Sequence, residues 1–479
     1  MQCDPPANCD RILQDMNAVP TTGIGLLACL YMLEASGLLA AMALYKSGEK
    51  SLAALLTGRY SPFFLAGVLG VLGFTVYLVI RYQGTRTGQR RQFWLPVAMN
   101  IATVALAFTS GEAIVRLLAS PTPAGPTFLN TLLLPRSWSA VLAHNRDLLQ
   151  RAPSNISYFV PDDLLGWTVG PNRRSNDGLY FSSSEGIRSG GPNVSYAAGP
   201  AVHRVATVGD SFTFGLEVPF EASWPNRLEQ LLGPQTQILN FGVDAYGVDQ
   251  AYLRYSRDVR PWHPDLVVLG FIQHDLHRSL VVYHFVSFRE GFPFAKPRLV
   301  VAERTVRPMN VPLPSPEEIL STHAITDLPF IEYDPGYDPI EWTWHEYYHS
   351  HLVRFVLSRF RRWPEQNADT SIQAVTLNGE IIASFARLAE REGSIPLVVY
   401  FPARSDFLGI DRSVKNGVLT MLRGRGIRYE DLTSCLSELS VSELFIEGRP
   451  HYSPKGNAKA ATCLQPVVRD HLVNRGRHS

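Results

Sequence analysis

Three long apolar runs within the first 120 residues constrain this chain more than any other feature. Residues 22–45 are apolar apart from Glu34 and a few small polar side chains, 61–80 carry no charge, and 95–118 are interrupted only by Glu112 and Arg116. A helix crosses a bilayer with about 20 mostly apolar residues, so three such runs in succession predict three membrane-spanning helices. A cleaved leader is not expected, because the first run lacks a basic flank and two more runs follow it. The segment 81–92 holds Arg81, Arg86, Arg90 and Arg91, whereas 46–60 holds Lys46, Lys50 and Arg59 offset by Glu49. The more basic side faces the cytoplasm. The expectation is a multi-pass protein of the cytoplasmic (inner) membrane with everything after 118 on the extracytoplasmic side.

Charge inside these runs needs a partner. Glu112 and Arg116 lie four apart, one helical turn, and can pair on one face. Glu34 falls mid-span, where a lone carboxylate is costly. The polar groups are read first as contacts within the bundle, with Arg116 snorkelling to the interface, and second as contacts with a partner subunit or a lipid-linked substrate.

Beyond 120 the pattern changes. Residues 121–200 read as a Pro-rich linker at 121–126, a surface helix near 132–150, and a β-rich accessory segment at 158–188 punctuated by glycines. Residues 201–479 alternate short buried-strand patterns (204–208, 237–241, 266–270, 396–401, 427–429) with helical ones (224–232, 248–259, 378–392, 413–423, 455–473). That alternation predicts an α/β domain with a parallel sheet and helices on both faces. A long insert rich in Pro and aromatics, about 277–368, interrupts it and reads as a lid or subdomain. Trp167 and the aromatic insert are candidates for a carbohydrate groove or for simple packing.

A formal net charge of +1 gives no footprint for nucleic acid. Five cysteines are too few for a disulfide scaffold. Cys435 and Cys463 could pair in an oxidising compartment, and Cys29 reads as a buried free thiol. His345, His349 and His351 lack the Cys or Asp that would complete a metal set, so neither metal nor cofactor is expected.

Chemistry concentrates at Val208-Gly209-Asp210-Ser211-Phe212-Thr213-Phe214-Gly215. A serine where a buried strand gives way to a helix sits at the ligand-binding edge of an α/β sheet, with backbone N–H groups available to a developing negative charge. Such a serine needs a base. His451, in Glu447-Gly448-Arg449-Pro450-His451-Tyr452-Ser453-Pro454-Lys455-Gly456, precedes the last helical pattern and can return to that edge.

In this combination the chain resembles the SGNH (GDSL-like) hydrolases, and more closely the membrane-anchored members of bacterial envelopes. Gly209-Asp210-Ser211 looks like the first block, Asn240-Phe241-Gly242-Val243-Asp244-Ala245-Tyr246-Gly247 the second, Gly270-Phe271-Ile272-Gln273-His274-Asp275 the third and His451-Tyr452-Ser453-Pro454 the last, in order across about 201–472. The resemblance implies a three-layer, flavodoxin-like parallel sheet. Ser211 would be the nucleophile and His451 the base; the Ser211 and Gly242 N–H groups would form the oxyanion hole, while Gly209 and Asp210 support the turn. Two departures stand out. His274 replaces the third-block asparagine and would donate to the oxyanion in its place through an imidazole N–H, and the positions two and three before His451, where the family has an Asp, hold Arg449 and Gly448, which leaves Glu447 or a backbone carbonyl to orient the ring. The implied function is a serine esterase or O-acyltransferase, foremost for O-acetyl groups, acting on an envelope or secreted polysaccharide or glycolipid. A separate membrane acyl donor is an expected partner if it transfers. The rival is a catalytically degenerate domain serving as a binding or assembly subunit of a polysaccharide machine.

Overall fold

The computed structural model describes residues 23–47, 56, 61–83, 90–122, 125–151, 158–197, 203–288, 292–302, 305–359, 368–409 and 413–475. Two compact units emerge: residues 1–136 with 343–362, and residues 137–342 with 363–479. The long insert is therefore divided, and only its stretch 343–362 groups with the N-terminal region.

The N-terminal unit holds helices Gly23–Ser47, Ser61–Gln83 and Arg90–Leu118. All three are long and apolar enough to cross a membrane. Lys50, Arg59 and Arg86, which enter the orientation argument, lie outside the described residues. Glu34 is on an exposed face of the first helix. The Pro-rich stretch expected as a linker is instead paired: Ser120–Thr122 runs antiparallel to Gly125–Phe128, with Pro121 opposite Pro126. Pro121 lies on an edge strand, and Pro126, on the middle strand of three, takes part through its carbonyl, which accepts the Leu133 N–H at 2.9 Å.

In the second unit five strands form one parallel sheet: β1 (His203–Val208), β2 (Thr236–Asn240), β3 (Leu266–Phe271), β4 (Ile395–Tyr400) and β5 (Tyr429–Asp431). Their spatial order is β2-β1-β3-β4-β5, all neighbours parallel. This is the flavodoxin-like order, which reverses between β1 and β3 and opens a crevice at the strands' carboxyl ends.

Side-chain alternation builds the three layers. Val205, Val268 and Val399 face one side, with Trp224, Leu228, Ala460 and Leu464 from helices Trp224–Leu232 and Pro454–Arg475. Ala206, Val267 and Val398 face the other, with Leu253, Ile381, Phe385 and Val418 from helices Val248–Arg254, Ala368–Arg391 and Ser413–Gly424. A period of two along each strand thus buries both faces. The fifth strand starts two residues later than its apolar pattern suggests. The Ile427 N–H closes the preceding helix on the Leu422 carbonyl at 3.0 Å and is not available for pairing.

Cys435 and Cys463 form a disulfide across a sequence separation of 28, and Cys29 is free and buried. Cross-linking a loop of this size restricts the unfolded chain by about 2–4 kcal/mol. Cys435→Ser should lower the melting midpoint of the purified protein by several degrees; an unchanged midpoint, or two extra reactive thiols in the oxidised wild type, would show that the bridge is not formed.

Candidate active site

The site starts where β1 ends. At Gly209 a Cβ would collide with Thr213 Oγ1 and lie 2.5 Å from the Gly270 carbonyl oxygen. The chain can therefore turn against β3 into the helical turn Ser211–Phe214 only without a side chain there. Asp210 caps that turn, its Oδ1 accepting the Phe212 N–H at 2.9 Å. Its other oxygen is buried 3.8 Å from Arg278 Nη1, which also bonds Asp275 Oδ1 at 2.7 Å. Burial pushes the Asp210 carboxyl up to about 6 and the Asp275 carboxyl well above its ordinary value, with Arg278 opposing both. Gly209 and Asp210 thus shape the turn on which Ser211 sits.

His451 arrives from the other end of the chain. Phe445 and Tyr452 bridge antiparallel, and the Ile446 N–H bonds the His451 carbonyl at 3.0 Å. Tyr452 donates from its hydroxyl to the Pro402 carbonyl at 2.7 Å, and the Phe212 ring packs on Tyr452 and His451. His451 Nε2 lies 2.9 Å from Ser211 Oγ, and His451 Nδ1 lies 2.9 Å from Glu217 Oε2. A carboxylate can only accept, so Nδ1 carries the proton and Nε2 accepts from the serine hydroxyl. The hydrogen bond from His451 holds the Glu217 carboxyl below its usual value, and it stays ionised.

The carboxylate that bonds His451 Nδ1 is therefore Glu217, where the sequence suggested Glu447. Glu447 occupies the exposed tip of the turn Ile446–Arg449, which Gly448 closes at φ 67°. Glu447 is exposed there, and both His451 ring nitrogens are engaged elsewhere, by Glu217 and Ser211. Glu217 itself holds φ 67°, a left-handed conformation unusual for glutamate. It is held there from three sides. Its N–H bonds the Tyr180 hydroxyl at 2.9 Å, and Arg449 Nη1 lies 3.6 Å from its Oε1. Arg188, fully buried, donates to the carbonyls of Phe214, Gly215 (2.5 Å) and Val218 (2.7 Å) on either side of it. No motif marks Glu217 in the sequence; its sole signal is a carboxylate in the same loop, six residues after the serine.

The second and third blocks depart from expectation too. The Gly242 N–H, expected in the oxyanion hole, donates to Asn240 Oδ1 at 3.0 Å within its own loop. A Cβ on Gly242 would lie 2.5 Å from the Phe214 N, which makes this glycine a packing requirement beneath the serine turn. Asn240 completes the junction by donating to the Thr213 carbonyl at 3.0 Å. The Ser211 N–H makes no hydrogen bond among the described residues. His274 is exposed at the second position of helix Gln273–Arg278, just past β3. Asp244, quoted in the second block without a role of its own, has its carboxyl pushed up by burial.

Trp167 does not line a groove. It is fully buried, stacks on Phe292, and donates its indole N–H to the Asp244 carbonyl at 3.0 Å, so the accessory segment supports the second block from behind. Among the described residues no three His, Cys, Asp or Glu side chains gather as a metal site.

No family model matches the chain, and no curated protein matches it. Similar solved structures include a protein assigned to the lipolytic G-D-S-L family from Desulfitobacterium hafniense, at 15% identity over 56% of this chain and 98% of that one, TM-score 0.30. They also include a catalytic variant of an acetylxylan esterase from Geobacillus stearothermophilus (12%, 55% and 93%, 0.30). A third is a carbohydrate acetylesterase from Sinorhizobium meliloti (12%, 56% and 98%, 0.29). Likenesses at this level do not identify an activity.

The geometry separates the two glutamates experimentally. Glu217→Gln should slow hydrolysis of a simple acetyl ester by about 10²–10⁴-fold, as when a triad histidine loses its proper tautomer. Glu447→Gln should stay within twofold of wild type. The reverse order of effects would return the role to Glu447.

Proposed function

We propose that this chain is a membrane-anchored serine esterase of the SGNH type, acting on O-acyl groups, foremost acetyl, of a carbohydrate or glycolipid outside the cytoplasm. One observation carries the proposal: the unbroken relay from the Glu217 carboxylate through His451 to the Ser211 hydroxyl. It speaks against the degenerate reading, since the carboxylate missing before His451 is supplied from the loop after Ser211.

The chemistry follows from the relay. Ser211 Oγ attacks the ester carbonyl carbon while its proton passes to His451 Nε2, and Glu217 stabilises the imidazolium. The oxyanion takes a hydrogen bond from the Ser211 N–H, with His274, exposed just past β3, as the further donor in this proposal. Collapse breaks the bond to the leaving oxygen, which receives the Nε2 proton, and leaves acyl-Ser211. Water, deprotonated by His451 Nε2, then attacks the acyl carbon; the bond to Ser211 Oγ breaks, Oγ takes the proton back from Nε2, and the carboxylic acid leaves. A sugar hydroxyl in place of that water would give acyl transfer with the same proton balance, and would call for an acyl-donating partner.

Three apolar helices support a membrane anchor. The Cys435–Cys463 bridge supports an extracytoplasmic catalytic domain, because disulfides persist in oxidising compartments. Both agree with the basic segment at 81–92 lying in the cytoplasm.

The test uses the full chain in detergent or bilayers with acetylated oligosaccharide and p-nitrophenyl acetate. Ser211→Ala and His451→Ala should each cut acetate release by at least about 10³-fold without moving the melting midpoint. Rates kept near wild type in both variants would refute the assignment. Adding a deacetylated oligosaccharide acceptor separates transfer from hydrolysis: acetyl on the acceptor means transfer, free acetate alone means hydrolysis.

A further inference from the structure

Residues 343–362 belong to the same compact unit as the three apolar helices, and the third helix holds them by a specific set of bonds. Glu112 accepts from Ser350 Oγ at 2.8 Å and from the backbone N–H groups of His351 at 3.1 Å and Leu352 at 2.8 Å. It thereby caps the nine-residue helix His351–Arg359. Arg116 pairs with Glu112 at 2.7 Å and donates to the His349 carbonyl at 2.9 Å. The two charges that the sequence left in the third span are therefore the attachment point of this segment.

The depth of that point follows from helix geometry. The uncharged run from Phe93 to Gly111 rises by about 28 Å at 1.5 Å per residue, close to the ~30 Å hydrocarbon thickness of a bilayer. Glu112 and Arg116 then begin the headgroup layer. At the opposite end of the run, Phe93, Trp94 and Tyr82 form an edge-to-face cluster, with ring centroids 5.3–6.2 Å apart. Tyrosine and tryptophan concentrate at such boundaries, their rings half in lipid and their polar tips in water.

The segment bonded to Glu112 carries the matching aromatic group. Trp344 is 51% exposed and Tyr347 44% exposed. Trp344 packs edge-on against Tyr348 and His349, and Tyr347 stacks on His345 at 5.0 Å, so the rings form a preassembled platform. Leu117 and Leu118, at the same end of the third helix, are also exposed.

We propose that Trp344 and Tyr347 are an interfacial seat that lodges in the headgroup–acyl boundary of the lipid bilayer, on the side to which the third helix delivers the chain. The partner of this surface is lipid. The proposal rests on the membrane-spanning reading of the three helices. It makes 343–350 a second membrane contact, contributed by the insert in the α/β domain's own sequence.

The test places the full-length protein in phosphatidylcholine vesicles, with and without lipid brominated near the top of the acyl chain, and reads tryptophan fluorescence. Of the eight tryptophans, Trp94 and Trp344 are the two expected at the lipid boundary. Trp344→Phe should remove roughly half of the quenchable emission, Trp94→Phe the other half. Tyr347→Trp in the Trp344→Phe background should restore the loss. Quenching unchanged by Trp344→Phe, in protein that resists alkaline carbonate extraction, would overturn the seat while leaving the anchor intact. Release of the protein by carbonate would overturn the membrane-spanning reading, and the seat with it.

Discussion

The hydrogen bond from His451 Nδ1 to Glu217 is the interaction on which the rest of the site depends. It fixes which imidazole nitrogen is free to accept the serine proton. Glutamate at φ 67° carries about 1–3 kcal/mol of backbone strain. Much of the surrounding structure reads as the support that offsets it. Arg188 gathers three carbonyls of the 214–218 loop, Tyr180 accepts the Glu217 N–H, and Arg449 adds charge at the open side. Strain of this kind persists where the surroundings over-determine it, and its position beside the candidate base fits a functional constraint.

The sheet explains why residues 240 positions apart meet. Ser211 follows the inner strand β1 at the point where strand order reverses, and His451 precedes the helix that packs on the β1 face through Trp224, Asn457 and Phe212. Asn457 accepts the Trp224 N–H and donates to the Tyr452 carbonyl, so one side chain ties the histidine loop to the helix beside the serine. Close approach without side chains at Gly209 and Gly242 completes the assembly.

The fold was largely legible in the sequence. Buried parallel strands are short apolar runs between helical patterns, and four of the five began within one residue of their pattern. The short β5 was displaced because a helix ending took a backbone donor. Ser211 and His451 were legible because strand-to-helix serine and loop histidine lie in recognisable blocks. Glu217 was not. Nothing local distinguishes a triad carboxylate from any loop glutamate when its placement depends on a buried arginine nearly thirty residues upstream and on a left-handed backbone angle. The hydrogen bond from the Gly242 N–H to Asn240 was not legible for a similar reason, since it is a property of loop geometry. Glu112 and Arg116 were correctly seen as a pair, yet their link to residues 349–352 spans more than 230 positions and leaves no periodic trace.

The central claim is that Ser211 is an activated nucleophile. Reaction of the intact protein with a fluorophosphonate, followed by mass spectrometry of its peptides, tests it most directly. The account predicts one phosphonyl adduct per chain, on Ser211, formed far faster than on any other serine. No adduct, or an adduct on another residue at the same rate, would contradict it.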